Sequence, residues 1–379
     1  MKDHSLEVHG CHTYDATGAI SPSICLSATF RHPRFGESTG YDYGRVANPT
    51  RESLEKTVAL LERGGRSWAL SSGMAAVQLV FSLLSAGDHV LMSEDLYGGT
   101  VRLAEEVFAG YGITFEYVDV RDLALVGKRM RPETKLVFIE TPSNPMMQIS
   151  DIAALSALAH ENGALLAVDN TFLSPHFQKP LTLGADIVLH SGTKYLCGHN
   201  DVIAGFLVLK DATSAQAKCI ELLAKSAGSN LSALDSWLML RSIKTLGVRV
   251  ERQAENALAI AQWLGTLPEV TEVLYPGLAD HPGYALQQKQ ASGAGGMISF
   301  KVRSAELAKA ALGKLHLIAF AESLGGVETL LTYPIAQTHA EMPAALLKRT
   351  GLDDKLLRLS VGIEDVEDLK ADLQQALQG

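Results

Sequence analysis

Cysteine is scarce in this 379-residue sequence, and the four that occur, Cys11, Cys25, Cys197 and Cys219, have no paired spacing. That argues against a disulfide framework and for a reducing, cytoplasmic setting. No uninterrupted apolar run approaches the ~18 residues of a membrane helix. The opening Met1-Lys2-Asp3-His4-Ser5-Leu6-Glu7 lacks an apolar segment, so neither a membrane span nor a secretory leader is expected. Blocks of lysine and arginine are missing too. Against 33 basic residues stand 42 acidic ones, a formal net charge of −9, which leaves no electrostatic reason to bind nucleic acid. There are no internal repeats and no low-complexity tracts. A Gly-x-Ser-x-Gly elbow is absent, which excludes the usual serine hydrolase. Gly293-Ala294-Gly295-Gly296 has no leading strand and no correctly spaced third glycine, so it is not a dinucleotide fingerprint. His9-Gly10-Cys11-His12 offers metal ligands without a second cluster, and no metal site is expected there.

What is present is the composition of an ordinary soluble globular protein, 47% hydrophobic and 20% charged, in a chain too long for one core. The middle alternates strand-like with helix-like runs. Strands are read at 67–71, 89–93, 114–118, 135–139, 165–169, 187–190 and 203–209. Helices are read at 73–84, 99–110 and 151–162, the last capped by Ser150 or Asp151. Apolar strands separated by amphipathic helices predict an α/β fold, a mainly parallel sheet covered on both faces. After about residue 232 the pattern changes. A long helical stretch, 236–264, interrupted near Gly247, leads to a smaller α+β unit with an alternating strand over 296–302 and helices near 306–315 and 366–377. The first 50 residues have few helix signals and read as an extended arm suited to clasp a neighbouring subunit. The expected division is therefore an arm (1–50), an α/β domain (51–245) and a C-terminal α+β domain (246–379).

Ligands of such sheets bind at the carboxyl ends of strands, and the chemically useful residues fall there. Asp169 closes one apolar run, and Ser191-Gly192-Thr193-Lys194 closes the next. A carboxylate and an amine at neighbouring strand ends suit pyridoxal phosphate. The amine forms the Schiff base, and the carboxylate pairs with the protonated pyridine nitrogen, so that the ring withdraws electrons. Ser71-Ser72-Gly73-Met74, between a strand and a helix, offers backbone N–H groups to a phosphate, with Gly73 permitting close approach. Ser191 and Thr193 add hydroxyls. Tyr97 suits stacking on the ring, and Asn144 suits a hydrogen bond to the ring hydroxyl or the substrate. Singly, each has an ordinary explanation: a Ser-Ser-Gly turn caps a helix, a loop tyrosine packs, an aspartate after a strand caps a turn. Their order, each at a strand end, carries the cofactor reading.

The same residues resemble the cysteine and methionine metabolism group of fold-type-I pyridoxal-phosphate enzymes, which includes cystathionine γ-synthase, cystathionine γ- and β-lyases and O-acetylhomoserine sulfhydrylase. The resemblance runs from Gly18-Ala19-Ile20 through Tyr43-Gly44-Arg45-Val46-Ala47-Asn48-Pro49-Thr50-Arg51 to Arg358-Leu359-Ser360-Val361-Gly362-Ile363-Glu364. The run at 191–199 is its most specific piece, with Gly192 where alanine is commoner. It implies that Lys194 binds the cofactor and removes the substrate Cα proton, and that Tyr97 assists as a proton acceptor. It implies that Gly73, Met74, Tyr97, Asn144, Asp169, Ser191 and Thr193 hold the cofactor. Tyr43 and Arg45 resemble a pair that reaches across a subunit interface, Arg45 to the phosphate, which implies a homotetramer made of active dimers. Arg358 resembles the residue that grips the substrate α-carboxylate, with Asn144, Ser323 and Glu322 around it. Glu322 resembles the γ-acting enzymes, and Gly99 stands where methionine γ-lyases tend to place a cysteine. The runs at 332–339 and 198–201 look closest to bacterial cystathionine γ-synthases. The implied reaction is γ-replacement on an O-acylhomoserine by cysteine or another thiol. The alternatives are a cystathionine γ-lyase or β-lyase and, more remotely, a methionine γ-lyase, a sulfhydrylase or an aminotransferase.

Overall fold

The computed structural model describes residues 1–11 and 17–378; His12 of the cluster considered above lies outside them. Seven strands build the larger sheet: β1 (Arg66–Leu70), β2 (His89–Ser93), β3 (Thr114–Val118), β4 (Thr134–Glu140), β5 (Leu165–Asp169), β6 (Ile187–Ser191) and β7 (Gly205–Leu209). Their order is β1-β7-β6-β5-β4-β2-β3. Helices α1 (Asp3–His9) and α2 (Pro49–Leu61) precede it. Helices α3 (Gly73–Phe81), α4 (Gly98–Leu103), α5 (Leu123–Arg129), α6 (Ile152–Glu161) and α7 (Ser174–Phe177) lie between its strands, and α8 (Ala215–Ala227), α9 (Ala233–Ile243) and α10 (Leu246–Leu264) follow it.

Period-two alternation explains why this sheet is buried on both faces. Val137 and Ile139 of β4, Leu166 and Val168 of β5 and Val188 of β6 enter one apolar cluster. Leu136, Phe138, Ala167, Ile187 and Leu189, one residue out of step, enter the opposite one. Every strand runs parallel except β7, which is antiparallel to both β1 and β6. The carboxyl ends of β1, β4, β5 and β6 therefore open on the same edge.

The smaller sheet comprises β8 (Val270–Leu274), β9 (Met297–Val302), β10 (Ala319–Phe320), β11 (Leu330–Thr332) and β12 (Leu356–Ser360), in the order β10-β11-β12-β9-β8. It is antiparallel apart from the β10–β11 pair. Helices α11 (Tyr284–Gln290), α12 (Ala305–Leu312), α13 (Ala344–Thr350) and α14 (Val366–Gln378) accompany it. Its own core takes Ile298, Phe300, Leu357 and Leu359 from the strands and Ala308, Leu369 and Leu373 from α12 and α14. Helix α10 joins the two units: Leu246 and Val250 pack in the large-sheet core, and Ala257, Ile260 and Leu264 in the small-sheet core. No helix among the described residues is long and apolar enough to cross a membrane.

The elements differ from the sequence expectations in several places, beginning with α1 (Asp3–His9), a helix inside the stretch read as an extended arm, whose Leu6 packs into the large-sheet core. Helix α2 begins at Pro49, within the stretch read as an arm, where Asn48 Oδ1 caps the N–H groups of Thr50 and Arg51, an N-cap followed by a proline at N1. The helix read over 99–110 is α4 followed by a π-turn (Ala104–Phe108) and a 3₁₀ turn (Ala109–Tyr111). The helix read over 73–84 ends at Phe81. The break in the long helical stretch, expected near Gly247, falls at Lys244–Thr245. Gly247 lies inside α10, where a Cβ would sit only 2.6 Å from Glu7 Oε2.

Candidate active site

A cavity of about 310 Å³ opens at the carboxyl edge of the large sheet. It is built by four strand ends, a helix start and segments of the smaller unit. At the end of β1, Ser72 Oγ accepts from the Ala75 N–H at 3.1 Å and starts α3. Gly73 must be glycine here, because a Cβ would come within 2.9 Å of Ser191 Cβ at the end of β6. Gly205 on β7 is tighter still: its Cβ would lie 1.9 Å from the Ser72 carbonyl oxygen. The start of α3 is thus wedged between β6 and β7 with its first N–H groups at the cavity wall, a setting that favours an anion.

Asp169 ends β5. Thr171 donates to its Oδ1 from both N–H (3.0 Å) and hydroxyl (2.5 Å). Burial pushes the Asp169 carboxyl up, against those two bonds. Glu140 ends β4 in direct register with Asp169, so the two carboxylates share a face. Burial and then the Asp169 charge raise Glu140 well above the usual carboxylate range. Its Oε2 accepts the Tyr97 N–H at 3.0 Å, which fixes the backbone that carries the Tyr97 ring. Gly99 leaves room for that ring; a Cβ there would lie 2.4 Å from Tyr97 Cε1.

Lys194 follows β6. Its Nζ donates to Ser323 Oγ at 2.7 Å. Burial, followed by the nearby Arg358 charge, lowers its pKa to about 8, with Glu322 opposing. Ser323 adopts φ 106°, a conformation costly for a residue with a Cβ, and it holds Oγ on Lys194 while its carbonyl faces Arg358. Arg358 on β12 is 1% exposed. Its Nη1 donates to Asn144 Oδ1 at 2.7 Å, and its Nη2 to the Ser323 carbonyl at 3.2 Å. Burial pulls its pKa down to about 10. Its buried Nε has no hydrogen-bond partner among the described residues. Asn144 is itself held. Asp95 accepts from the Ser143 hydroxyl and from the Met146 N–H. His339, kept neutral by a pKa lowered to about 4 through burial, donates from Nε2 to the Asn144 carbonyl at 3.0 Å, while the Thr338 hydroxyl lies 2.8 Å from its Nδ1.

Of the residues expected to form the site, Gly73, Met74, Tyr97, Asn144, Asp169, Ser191, Thr193, Lys194, Glu322, Ser323 and Arg358 all line this cavity. Thr193 Oγ1 is already engaged, donating to the Ala204 carbonyl and accepting its N–H. Glu322 is exposed at the rim. Tyr43 and Arg45 are not brought to the cavity of their own chain. The Arg45 guanidinium lies 5.7 Å from the centre of the Tyr43 ring and donates to the Lys225 carbonyl. Nothing in the sequence alone singles out Glu140, Gly205, Asp95 or His339; only the strand register and the packing bring them in. Cys197, beside the lysine, is buried, lies 3.1 Å from Asp201 Oδ1 and has its thiol pushed up by burial, which makes it an inert core residue.

An amine with a lowered pKa, a buried carboxylate at the next strand end and a wedged helix start form a donor set that fits pyridoxal phosphate. The sequence matches the family described as Cys/Met metabolism PLP-dependent enzyme over residues 4–378. The chain belongs to this family. Pyridoxal 5'-phosphate is therefore its cofactor. Among members of the family, it is 47% identical to cystathionine γ-lyase of Bacillus subtilis over all 379 residues of this chain and 100% of that protein. It is 46% identical to the cystathionine γ-synthase/O-acetylhomoserine (thiol)-lyase of the same organism over 96% of this chain and 92% of that one. Its fold matches the crystal structure of cystathionine γ-lyase from Lactobacillus plantarum complexed with L-serine, with a TM-score of 0.96, 43% identity, and 100% and 99% of the two chains covered. The chain is a trans-sulfuration enzyme of the α/β, fold-type-I architecture expected from its sequence.

Proposed function

We propose that this enzyme acts at Cγ of a homoserine-derived amino acid as a cystathionine γ-synthase. The sulfur of cysteine, or of another thiol, bonds to Cγ of an O-acylhomoserine as the Cγ–O bond breaks and the acyloxy group leaves as a carboxylate; with cysteine the product is cystathionine. The observation that supports an enzyme of cystathionine metabolism is Glu322 at the cavity rim, next to the Ser323 that touches Lys194; its resemblance to the γ-acting enzymes supports reaction at Cγ. A carboxylate there suits the second ammonium group that cysteine brings and cystathionine keeps, remote from the reacting Cα.

When bound, the cofactor supplies the electron sink for charge developing at Cα. Asp169 would hold its ring nitrogen. The Ser72–Met74 turn with Ser191 and Thr193 would hold its phosphate, and Tyr97 would pack on its ring. Arg358, oriented by Asn144, would clamp the substrate α-carboxylate with its guanidinium. Lys194 Nζ would take the Cα proton and return it along the chain toward the leaving group. Ser323 Oγ would hold that amine between transfers. The Tyr97 hydroxyl would accept a proton from the incoming substrate amine. The partner subunit's Tyr43 and Arg45 would complete the phosphate site, so that activity requires at least a dimer, within a homotetramer of active dimers.

Cystathionine γ-lyase is the second reading, favoured by the full-length likeness to the Bacillus subtilis enzyme; a β-lyase comes third. Mass spectrometry of the purified, cofactor-loaded enzyme separates them. Cystathionine formed from an acylhomoserine and cysteine supports the synthase. With cystathionine alone, release of cysteine and 2-oxobutanoate identifies a γ-lyase, and release of homocysteine and pyruvate a β-lyase.

A further inference from the structure

Away from the cavity, four titratable side chains from three elements close a ring. His4 and Glu7 come from α1, His176 from α7 and Glu251 from α10. Glu7 is 4% exposed. Its Oε1 lies 2.7 Å from His176 Nδ1, and its Oε2 accepts the Gly247 N–H at 3.1 Å and lies 3.8 Å from His4 Nδ1. On the other side, Glu251 Oε1 lies 3.4 Å from Nε2 of His4 and 3.4 Å from Nε2 of His176. Ligand atoms of His4, Glu7 and His176 fall within 4.8 Å of one another.

Two features distinguish this ring from a chance cluster. A carboxylate behind Nδ1 fixes the tautomer of His176 and leaves its Nε2 lone pair facing the second carboxylate, the arrangement that supports metal-bound histidines. Tetrahedral bonds of ~2.0–2.1 Å place neighbouring ligand atoms about 3.3–3.4 Å apart, which is the spacing of Glu251 Oε1 from both rings. The other feature is Gly247. In the first turn of α10 a Cβ at this position would lie 2.6 Å from Glu7 Oε2, 2.8 Å from His4 Nδ1 and 3.0 Å from His176 Cε1. The glycine keeps open the space into which the ring closes.

We propose that this ring of His4, Glu7, His176 and Glu251 binds one divalent ion of the zinc class, with Glu7 also orienting His176, and that the ion clamps α1 to α7 and α10. None of the four residues lines the catalytic cavity, so the ion lies outside the reaction site.

The test is zinc binding to tag-free, cofactor-loaded enzyme, stripped with a chelator and dialysed against zinc sulfate, with metal content and melting temperature measured together. One zinc per chain and a higher melting temperature are expected, with the visible spectrum of the cofactor unchanged. His4 and Glu251 are 64% and 47% exposed in their side chains, so His4→Ala and Glu251→Gln keep the fold. Each should weaken zinc binding at least tenfold and abolish the thermal shift, while Cys11→Ser should do neither. Absence of stoichiometric zinc from the parent, or zinc held equally by His4→Ala and Glu251→Gln, would overturn the assignment.

Discussion

Arg358 Nη1 donates to Asn144 Oδ1 over 2.7 Å, and that bond ties β12 of the smaller sheet to the loop after β4 of the larger one. Both ends are fixed from behind. Asn144 is held by the Asp95 staple and by His339, and Arg358 by the Ser323 carbonyl. The guanidinium therefore meets a substrate with its geometry already set, which removes ordering cost at binding.

Arg358→Lys keeps the charge and loses the planar fork. A hydrogen bond to a charged group is worth ~1.5–3 kcal/mol, so KM for the amino-acid substrate should rise by about 10- to 100-fold. The cofactor should remain bound with its absorbance intact. Steady-state kinetics beside the visible spectrum checks this, and an unchanged KM would remove Arg358 from the carboxylate.

Glu322→Gln removes an exposed charge, so its effect is small. An exposed ion pair contributes ~1 kcal/mol or less, and KM for cystathionine or cysteine should rise no more than about fivefold. Substrates without a second ammonium group should be unaffected. The comparison of KM for the two substrate classes is the measurement. A uniform loss for both would show that Glu322 acts on Lys194, whose protonated form it favours, and not on the substrate.

Much of this site is legible in the sequence because it sits where apolar strands stop. Asp169 and Lys194 follow runs too apolar for anything but a buried strand, and strand ends are where α/β sheets bind ligands. The direction of β7 is not legible: Gly205–Leu209 is buried throughout, and a uniformly apolar strand has no feature that reports parallel or antiparallel pairing. Glu140 escapes notice because its role comes from register with Asp169, a relation between strands rather than along one. The ring of His4, Glu7, His176 and Glu251 escapes for the same reason, its members being scattered across α1, α7 and α10. Tyr43 and Arg45 remain outside the cavity of their own chain, so their proposed role stands on the resemblance and not on the single-chain geometry.

Lys194 gives a pH prediction for the cofactor-free enzyme. Only the neutral amine can attack the cofactor aldehyde. With a pKa lowered to about 8, about a quarter of the amine is neutral at pH 7.5, against about one part in a thousand for an ordinary lysine. The rate of reconstitution should rise with pH and level off above about 8, as followed by stopped-flow absorbance; an inflection near 10 would contradict the burial effect. Stability shifts in the same direction. The unfolded chain keeps a proton that the folded chain releases, so the cost of burying the charge is fully present below pH 8. It disappears as the pH rises to the ordinary lysine value of 10.5, and the apoenzyme should grow more stable across that window.

Gly205→Ala tests the wedge that presents the start of α3. The new Cβ would meet the Ser72 carbonyl oxygen at 1.9 Å, its carbon at 2.4 Å and the Gly73 nitrogen at 2.8 Å. All three are backbone atoms, so no side chain can swing aside, and the turn itself must move away from β7. Overpacking of this kind costs ~1–3 kcal/mol. The displaced atoms belong to the turn proposed to hold the phosphate, so the cofactor dissociation constant should rise by about 5- to 100-fold while the secondary structure is kept. Gly110→Ala is the matched control, because nothing lies within 4 Å of a Cβ there; it should leave cofactor affinity unchanged. Fluorescence titration of both apoenzymes with pyridoxal phosphate makes the comparison. Equal affinities would mean that the turn yields without consequence, and the phosphate would then have to be held elsewhere.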